Sequence, residues 1–155
     1  MISYEIPGRG TIEIKNLVLD YNGTIAVDGR LIEGVAQRIN KLAEKVDIYV
    51  LTADTYGTVK DECQVLKAEV MTFPRENAGK SKREIVEGLD GGSLCLGNGF
   101  NDIPMFEVAA LSIAILEGEG MAPGLLNRAD ILSRSILEAL DIASDASKVK
   151  ATLRN

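Results

Sequence analysis

Leu17–Gly29 reads LVLDYNGTIAVDG. Three apolar residues run into Asp20, and a turn follows. A continuous apolar run marks a strand buried on both faces, the pattern of parallel sheets. Open α/β sheets bind their ligands outside the carboxyl ends of the strands, which is where Asp20 stands. Two residues on, where a second acid would serve proton transfer, the chain has Asn22. TIAVDGRLI then reads as a small hairpin around Asp28-Gly29.

Upstream, ISYEIP and TIEIKNLVLD are β-rich, and the intervening GRG suits a hairpin turn. Downstream, EGVAQRINKLAEK carries Val35, Ile39 and Leu42 at helical spacing. VDIYVLTAD predicts a second buried strand, YGTVKDECQVLKA a helix and EVMTF a short strand. GKSKREIVEGL is a further helix, GSLCLGNG a fourth strand, and NDIPMFEVAA a short helix. LSIAILE is a strand, ADILSRSILEALDIA leads from a short strand to a closing helix, and ASKVKATLRN reads as a mildly basic, solvated helix end. Strands alternating with helices predict one Rossmann-like, doubly wound α/β domain over residues 1–155, with a mostly parallel sheet.

The 155 residues leave room for a real core. A net charge of −6 argues against a nucleic-acid or anionic-membrane partner. No apolar run approaches the ~18 residues that span a bilayer. MISYEIPGRG has neither the basic region nor the apolar stretch of a signal peptide, so a cytoplasmic protein is expected. Cys63 and Cys95 are the two cysteines, and a reducing compartment leaves them unpaired. Histidine is absent, which removes imidazole acid–base chemistry, Ser-His and Cys-His pairs and most zinc sites. Catalysis would run on carboxylates, hydroxyls, lysine or a hard metal ion.

Three polar motifs fall after strands: Asp20-Tyr21-Asn22-Gly23-Thr24, Thr52-Ala53-Asp54-Thr55, and Gly97-Asn98-Gly99-Phe100-Asn101-Asp102. Lys80 and Lys82 open the helix before the fourth strand. Singly, these read as helix caps, a turn and a solvated helix face. Together, in this order, they fit covalent phosphoryl transfer. Asp20 could attack phosphorus. Thr52, backbone amides of the Asn22–Thr24 turn and a lysine would neutralise the phosphoryl oxygens. Asp20 and Asp102 are carboxylates suited to Mg²⁺.

On these motifs the sequence resembles the haloacid dehalogenase (HAD) superfamily of phosphohydrolases along nearly its whole length. Asp20–Thr24 matches the Asp-x-Asp-Gly-Thr motif, Thr52 the Ser/Thr of the second motif, and NGFND the Gly-Asp-Gly-x-Asn-Asp motif. KREIVEGL resembles the third-motif segment of the phosphorylation domain of P-type ATPases, and NDIPMFEVAALSIAI and ADIL resemble the stretches that follow in those pumps. The pumps' membrane helices are absent, which matches the soluble P-type ATPase-like proteins. The resemblance implies a Mg²⁺-dependent phosphohydrolase or phosphotransferase working through an aspartyl phosphate. It makes Asp20 nucleophile and metal ligand, sets Asn22 in the general acid's place with its carbonyl on the metal, and selects Lys82 over Lys80. Asn98 and Asp102 complete the metal set. Gly23, Thr24, Thr52, Ala53, Lys82 and Asn101 surround the phosphate. The gaps that hold cap modules in the superfamily are short, so a capless member is expected. Its open site suits a large substrate or closure by a neighbouring subunit in a homo-oligomer, and the expected partner is a small phosphorylated substrate or a phosphoprotein.

Two acids of the pattern are amides here. Asn22 cannot exchange a proton as a carboxyl does, a loss of ~10²–10⁴ in rate. Asn98 can ligate a cation only without charge. These amides keep open a second reading, a catalytically degenerate protein that binds phosphate or a nucleotide and regulates a partner. A third, a receiver-like phospho-accepting switch, is disfavoured by Lys82 and NGFND.

Overall fold

The computed structural model describes residues 1–54 and 57–155. Thr55 and Tyr56, part of the second motif and of the helix expected after it, lie outside the described residues. Ten strands and six helices are described. β1 (Ile2–Ile6) and β2 (Gly10–Ile14) pair as an antiparallel hairpin. β3 (Asn16–Asp20) follows, then a second hairpin of β4 (Ala26–Val27) and β5 (Arg30–Leu31). Asp28 and Gly29, with φ of 52° and 76°, make its turn, the left-handed pair that such tight hairpins require. Next come α1 (Val35–Leu42), β6 (Asp47–Thr52), α2 (Thr58–Glu62), β7 (Glu69–Thr72) and α3 (Ala78–Gly88). The last part holds β8 (Ser93–Gly97), α4 (Ile103–Phe106), β9 (Leu111–Ile115), β10 (Ile131–Ser133), α5 (Ile136–Ser144) and α6 (Ala146–Leu153).

The central sheet has the order β10-β9-β8-β3-β6-β7, and every pair in it is parallel. The chain runs outward from β3 through β6 and β7, then crosses back to β8 on the other side of β3. Strand order reverses at β3, and this is where doubly wound sheets leave a crevice.

The pleat sorts the core into two layers. Leu17, Leu19, Val50, Leu94, Leu96 and Ile113 face α1, α5 and α6, whose Ile39, Leu140 and Val149 cover them. Val18, Leu51, Cys95 and Ala114 face α3 and α4, covered by Val86, Met105 and Phe106. Helices therefore cover both faces, as the alternating pattern predicts.

Three local expectations change. The run TIEIKNLVLD is two strands. The N–H groups of Lys15 and Asn16 both donate to the Gly92 carbonyl, and β2 leaves the sheet to pair with β1. The helix expected to reach Ala68 stops at Glu62 and passes through a single 3₁₀ turn, Cys63–Val65. Asn40 on α1 ends it, donating to the Val65 carbonyl (2.9 Å) and accepting from the Lys67 N–H (2.6 Å). These are backbone groups that a longer helix would have paired itself. The final segment is not a solvated end. Asp145 breaks the chain into two helices, its carboxylate capping the second at the Ser147 N–H (2.9 Å). Val149 and Leu153 are then buried, and Tyr4 of the first hairpin donates to the Ala143 carbonyl at the end of α5 (2.6 Å). Among the described residues no helix is long and apolar enough to cross a membrane.

Candidate active site

Asp20 closes β3, and the two-residue period of the strand puts it on the same side as Val18, facing α3. Lys82 lies one helical turn before Val86 on the buried side of α3. The two periodicities therefore aim a carboxylate and an ammonium at each other from opposite layers. Lys82 Nζ is 2.6 Å from Asp20 Oδ1, 2.6 Å from Asp102 Oδ1 and 2.9 Å from Asn101 Oδ1. These three acceptors use all the donors of an ammonium group. Lys80 points to solvent and pairs with Glu84 at 3.6 Å, so Lys82 is the lysine that enters the cluster.

Burial pushes the Asp20 carboxyl up to about 7; the Asp102 charge adds to the rise, and Lys82 pulls against it. Burial alone would lower the Lys82 ammonium, but the two carboxylates overcome it and hold it above the ordinary lysine value. The lysine is thus the fixed charge of the cluster, and Asp20 is the group poised to change state near neutrality.

Asp102 is fully buried. Its Oδ1 receives Lys82, and its Oδ2 accepts the N–H groups of Asn98 (3.0 Å) and Gly99 (2.9 Å). This carboxylate fastens the NGFND turn from beneath, with both oxygens engaged. Gly97 lets it lie there, since a β-carbon at 97 would come within 2.5 Å of Asp102 Cγ.

A cavity of about 230 Å³ opens over this cluster, lined by Asp20, Asn22, Thr52, Ala53, Lys82, Asn98 and Asn101, with Leu51, Phe73, Ala78 and Gly99. Thr52 is buried, and its hydroxyl oxygen accepts the Asp54 N–H (3.1 Å). Asn22 is exposed at the rim. Of the residues singled out from the sequence, Asp20, Asn22, Thr52, Ala53, Lys82, Asn98 and Asn101 share this one cavity, and Asp102 lies directly behind it.

Gly23 and Thr24 require a correction. Their backbone N–H groups, expected to meet phosphate, close the turn itself by donating to the Ala26 carbonyl (2.8 Å) and the Tyr21 carbonyl (3.3 Å). The contribution of Thr24 is its hydroxyl, 3.0 Å from Asp20 Oδ2 and 3.3 Å from Asn98 Oδ1. That of Gly23 is space: its φ is +79°, and a β-carbon there would stand 2.3 Å from Asn98 Nδ2. Sequence reasoning placed Gly97 in the third motif without its role of leaving room for Asp102, and passed over the Phe73 wall. Gly97, the first residue of GNG, carried the usable signal of a glycine where two groups pack closely; Phe73 carried none.

Of the cavity-lining residues, those able to ligate a cation through a side chain, Asp20, Asn22, Asn98 and Asn101, offer oxygens, and none offers sulfur or imidazole nitrogen. Among the described residues no three His, Cys, Asp or Glu side chains cluster to hold a metal. The set fits a hard divalent cation that keeps several waters and takes others of its ligands from a bound phosphate, and it does not fit a soft metal.

No protein-family model matches the chain. An uncharacterised protein of Methanocaldococcus jannaschii is 54% identical over 39 residues, which cover 25% of this chain and 89% of that protein. Similar solved structures include HAD-type phosphatases. The 3-deoxy-D-manno-octulosonate 8-phosphate phosphatase of Moraxella catarrhalis, in complex with magnesium, phosphate and sugar acid, is 10% identical with a TM-score of 0.69, over 90% of this chain and 89% of that one. The cobalt-bound octulosonate 8-phosphate phosphatase of Haemophilus influenzae is 12% identical with a TM-score of 0.68, over 90% and 91%. A candidate HAD family hydrolase of Streptomyces avermitilis is 20% identical with a TM-score of 0.66, over 84% and 83%. The chain belongs to the family of the archaeal protein and has the fold of the HAD hydrolases, with no cap domain among the described residues.

Proposed function

We propose that the protein is a Mg²⁺-dependent phosphohydrolase or phosphotransferase that uses Asp20 as nucleophile and prefers activated phosphates. The observation that carries this reading is that Lys82 Nζ lies 2.6 Å from both Asp20 and Asp102 at the reversal point of the sheet, under a cavity that Thr52 lines. The fold shared with phosphatases whose structures hold magnesium or cobalt supports it.

In the first step an Asp20 oxygen attacks phosphorus, the bond from phosphorus to the leaving oxygen breaks, and Asp20 becomes an aspartyl phosphate. Lys82, which neutralises Asp20 at rest, is placed to neutralise the phosphoryl oxygens, and the Thr52 hydroxyl donates to another. Asp102 holds Lys82 and the NGFND turn in place. In the second step water attacks the same phosphorus, releasing phosphate and regenerating the carboxylate. Mg²⁺, held by Asp20, Asn98 and the Asn22 carbonyl with Asp102 behind them, would supply positive charge to the phosphoryl group. At position 22 an amide stands where both steps would use a carboxyl. The leaving group therefore departs unprotonated and the attacking water goes unactivated, which favours acyl, aryl and anhydride phosphates. The substrate is a small phosphorylated molecule or a phosphoprotein, the open capless site suiting the larger of the two, in a self-associating cytoplasmic protein.

The amides at 22 and 98 favour one other reading, a phosphate- or nucleotide-binding regulator that retains the site without turnover. Rapid-quench labelling with acetyl phosphate and Mg²⁺ separates the two. The wild type should form an acid-stable phosphoenzyme that Asp20→Asn abolishes. Absence of Asp20-dependent label in the wild type, with phosphate still bound, would establish the regulator instead.

A further inference from the structure

Asn98 has a second set of partners that the proposed chemistry leaves unused. Its Nδ2 donates to the Gly120 carbonyl (2.9 Å), and its own carbonyl accepts the Ala122 N–H (2.8 Å). Residues 117–122 form the connection after β9, and they are anchored elsewhere as well. Glu117 Oε1 accepts the Ile136 N–H at the start of α5 (2.8 Å), and the Gly120 N–H donates to the Glu117 carbonyl (2.9 Å). Gly118 lies against Val27 of the second hairpin, where a β-carbon would come within 3.2 Å. The loop is thus a strut between α5, the hairpin and the floor of the site.

A carbonyl oxygen only accepts, so Gly120 dictates which end of the Asn98 amide faces it: the NH₂ goes to the loop, and Oδ1 is turned toward Thr24 and Asp20. The Thr24 hydroxyl has one proton and two acceptors in reach, Asp20 Oδ2 at 3.0 Å and Asn98 Oδ1 at 3.3 Å. The charged and closer acceptor wins it. That leaves a lone pair of Asn98 Oδ1 available on the cavity side. A carboxylate at 98 could not make the link, because it has no proton for Gly120.

We propose that the loop 117–122 positions Asn98 from behind, its Gly120 carbonyl fixing the amide so that the oxygen, and not the NH₂, is presented to the site. Asn98 is then a deliberate amide: it gives up a negative charge toward a cation and gains a fixed orientation. The metal arm of the test below rests on the proposed function; the exchange arm does not.

Hydrogen exchange on the protein without metal or substrate reads the link through the amides of Gly120 and Ala122. Loss of one hydrogen bond in Asn98→Ala should speed both about tenfold, with β8 and β9 amides unchanged. Asn98→Asp should speed them further at pH 7 and return toward the wild-type rate as pH falls through the carboxyl range, because a protonated carboxyl can donate to Gly120 again. A residue of merely suitable size would show no such rescue. Gly120→Ala keeps Asn98 intact but strains a backbone with φ of +76° where nothing blocks the β-carbon. It should speed the same amides, and calorimetry should find Mg²⁺ bound about five- to tenfold more weakly. Wild-type exchange in Asn98→Ala and Asn98→Asp, or unchanged Mg²⁺ affinity in Gly120→Ala, would overturn the proposal. If the wild type binds no Mg²⁺, the metal role falls with the proposed function, and exchange alone decides the link.

Discussion

The Asp102 carboxyl carbon occupies the space in which a side chain on Gly97 would begin, 2.5 Å from an ideal β-carbon. The last residue of β8 and the acid five residues later are packed as one unit, and the site is built on that packing. Gly97→Ala should displace Asp102, release the N–H groups of Asn98 and Gly99, and cost about 1–3 kcal/mol by overpacking. Phosphoryl transfer should be lost with it. Gly88→Ala is the control: it ends α3 with nothing near its β-carbon, so stability should hold or rise slightly. Urea unfolding of both variants checks this.

Lys82→Met removes the single cation between Asp20 and Asp102. Breaking a buried ion network from one side leaves uncompensated charge, about 3–5 kcal/mol at alkaline pH. The pH dependence has a definite sign. Without Lys82 the folded-state value of Asp20 rises further above its unfolded value, so the folded state holds a proton that the unfolded state has released. Stability of the variant should therefore recover as pH falls through neutrality toward the unfolded carboxylate range and decline as pH rises. Unfolding midpoints at pH 5, 7 and 9, wild type against variant, test this; a constant difference would mean that the carboxylates do not face each other.

Asp20 must be ionised to attack phosphorus, and burial holds it at about 7. With acetyl phosphate at limiting Mg²⁺, kcat/KM should rise about tenfold per pH unit on the acid side and level off near neutrality. Saturating Mg²⁺ favours the charged carboxylate and should move the acid limb to lower pH. A pH-independent rate between 5 and 8 would place the nucleophile elsewhere.

Asn22→Asp should restore a proton donor at the rim of the cavity. Alkyl phosphates, which leave as strong bases, should gain by about 10²–10⁴, while acetyl phosphate gains little in the first step. Breakdown of the aspartyl phosphate should quicken in the same variant, so less label should accumulate at steady state. Equal gains on alkyl and acyl phosphates would show that proton donation does not limit the wild type.

The central sheet was legible because β3, β8 and β9 are buried along their whole length and read as unbroken apolar runs. Most of the cavity residues were legible because short polar motifs follow β3, β6 and β8. What stayed hidden was tertiary. Nothing local in TIEIKNLVLD marks the break at Lys15, which the Gly92 carbonyl, just ahead of β8, imposes from a distant part of the sequence. The end of the helix after Gly57 is set by Asn40, another element's side chain. Val149 and Leu153 do stand four residues apart, the signal of a buried helix face, but the flanking lysines masked it. The hydrogen bonds that commit Gly23 and Thr24 to their own turn depend on Ala26 folding back, which the motif alone does not specify.

The sheet order also dictates when a site can exist. β3 finishes between β8 and β6, yet its β8 partner lies 77 residues later, with Leu17 beside Leu94 and Leu19 beside Leu96. On a chain emerging from the ribosome, β3, β6 and β7 can assemble first, and β3 is then an open edge of five residues that all end up buried. Such an edge invites pairing with other chains. Ligand binding cannot relieve it, because Asn98, Gly99 and Asn101, which complete the pocket, follow directly on the strand that closes the edge. A fragment ending at residue 92 should accordingly aggregate, and one reaching past β9 should not. The interval between those lengths is the period of greatest risk in the protein's synthesis.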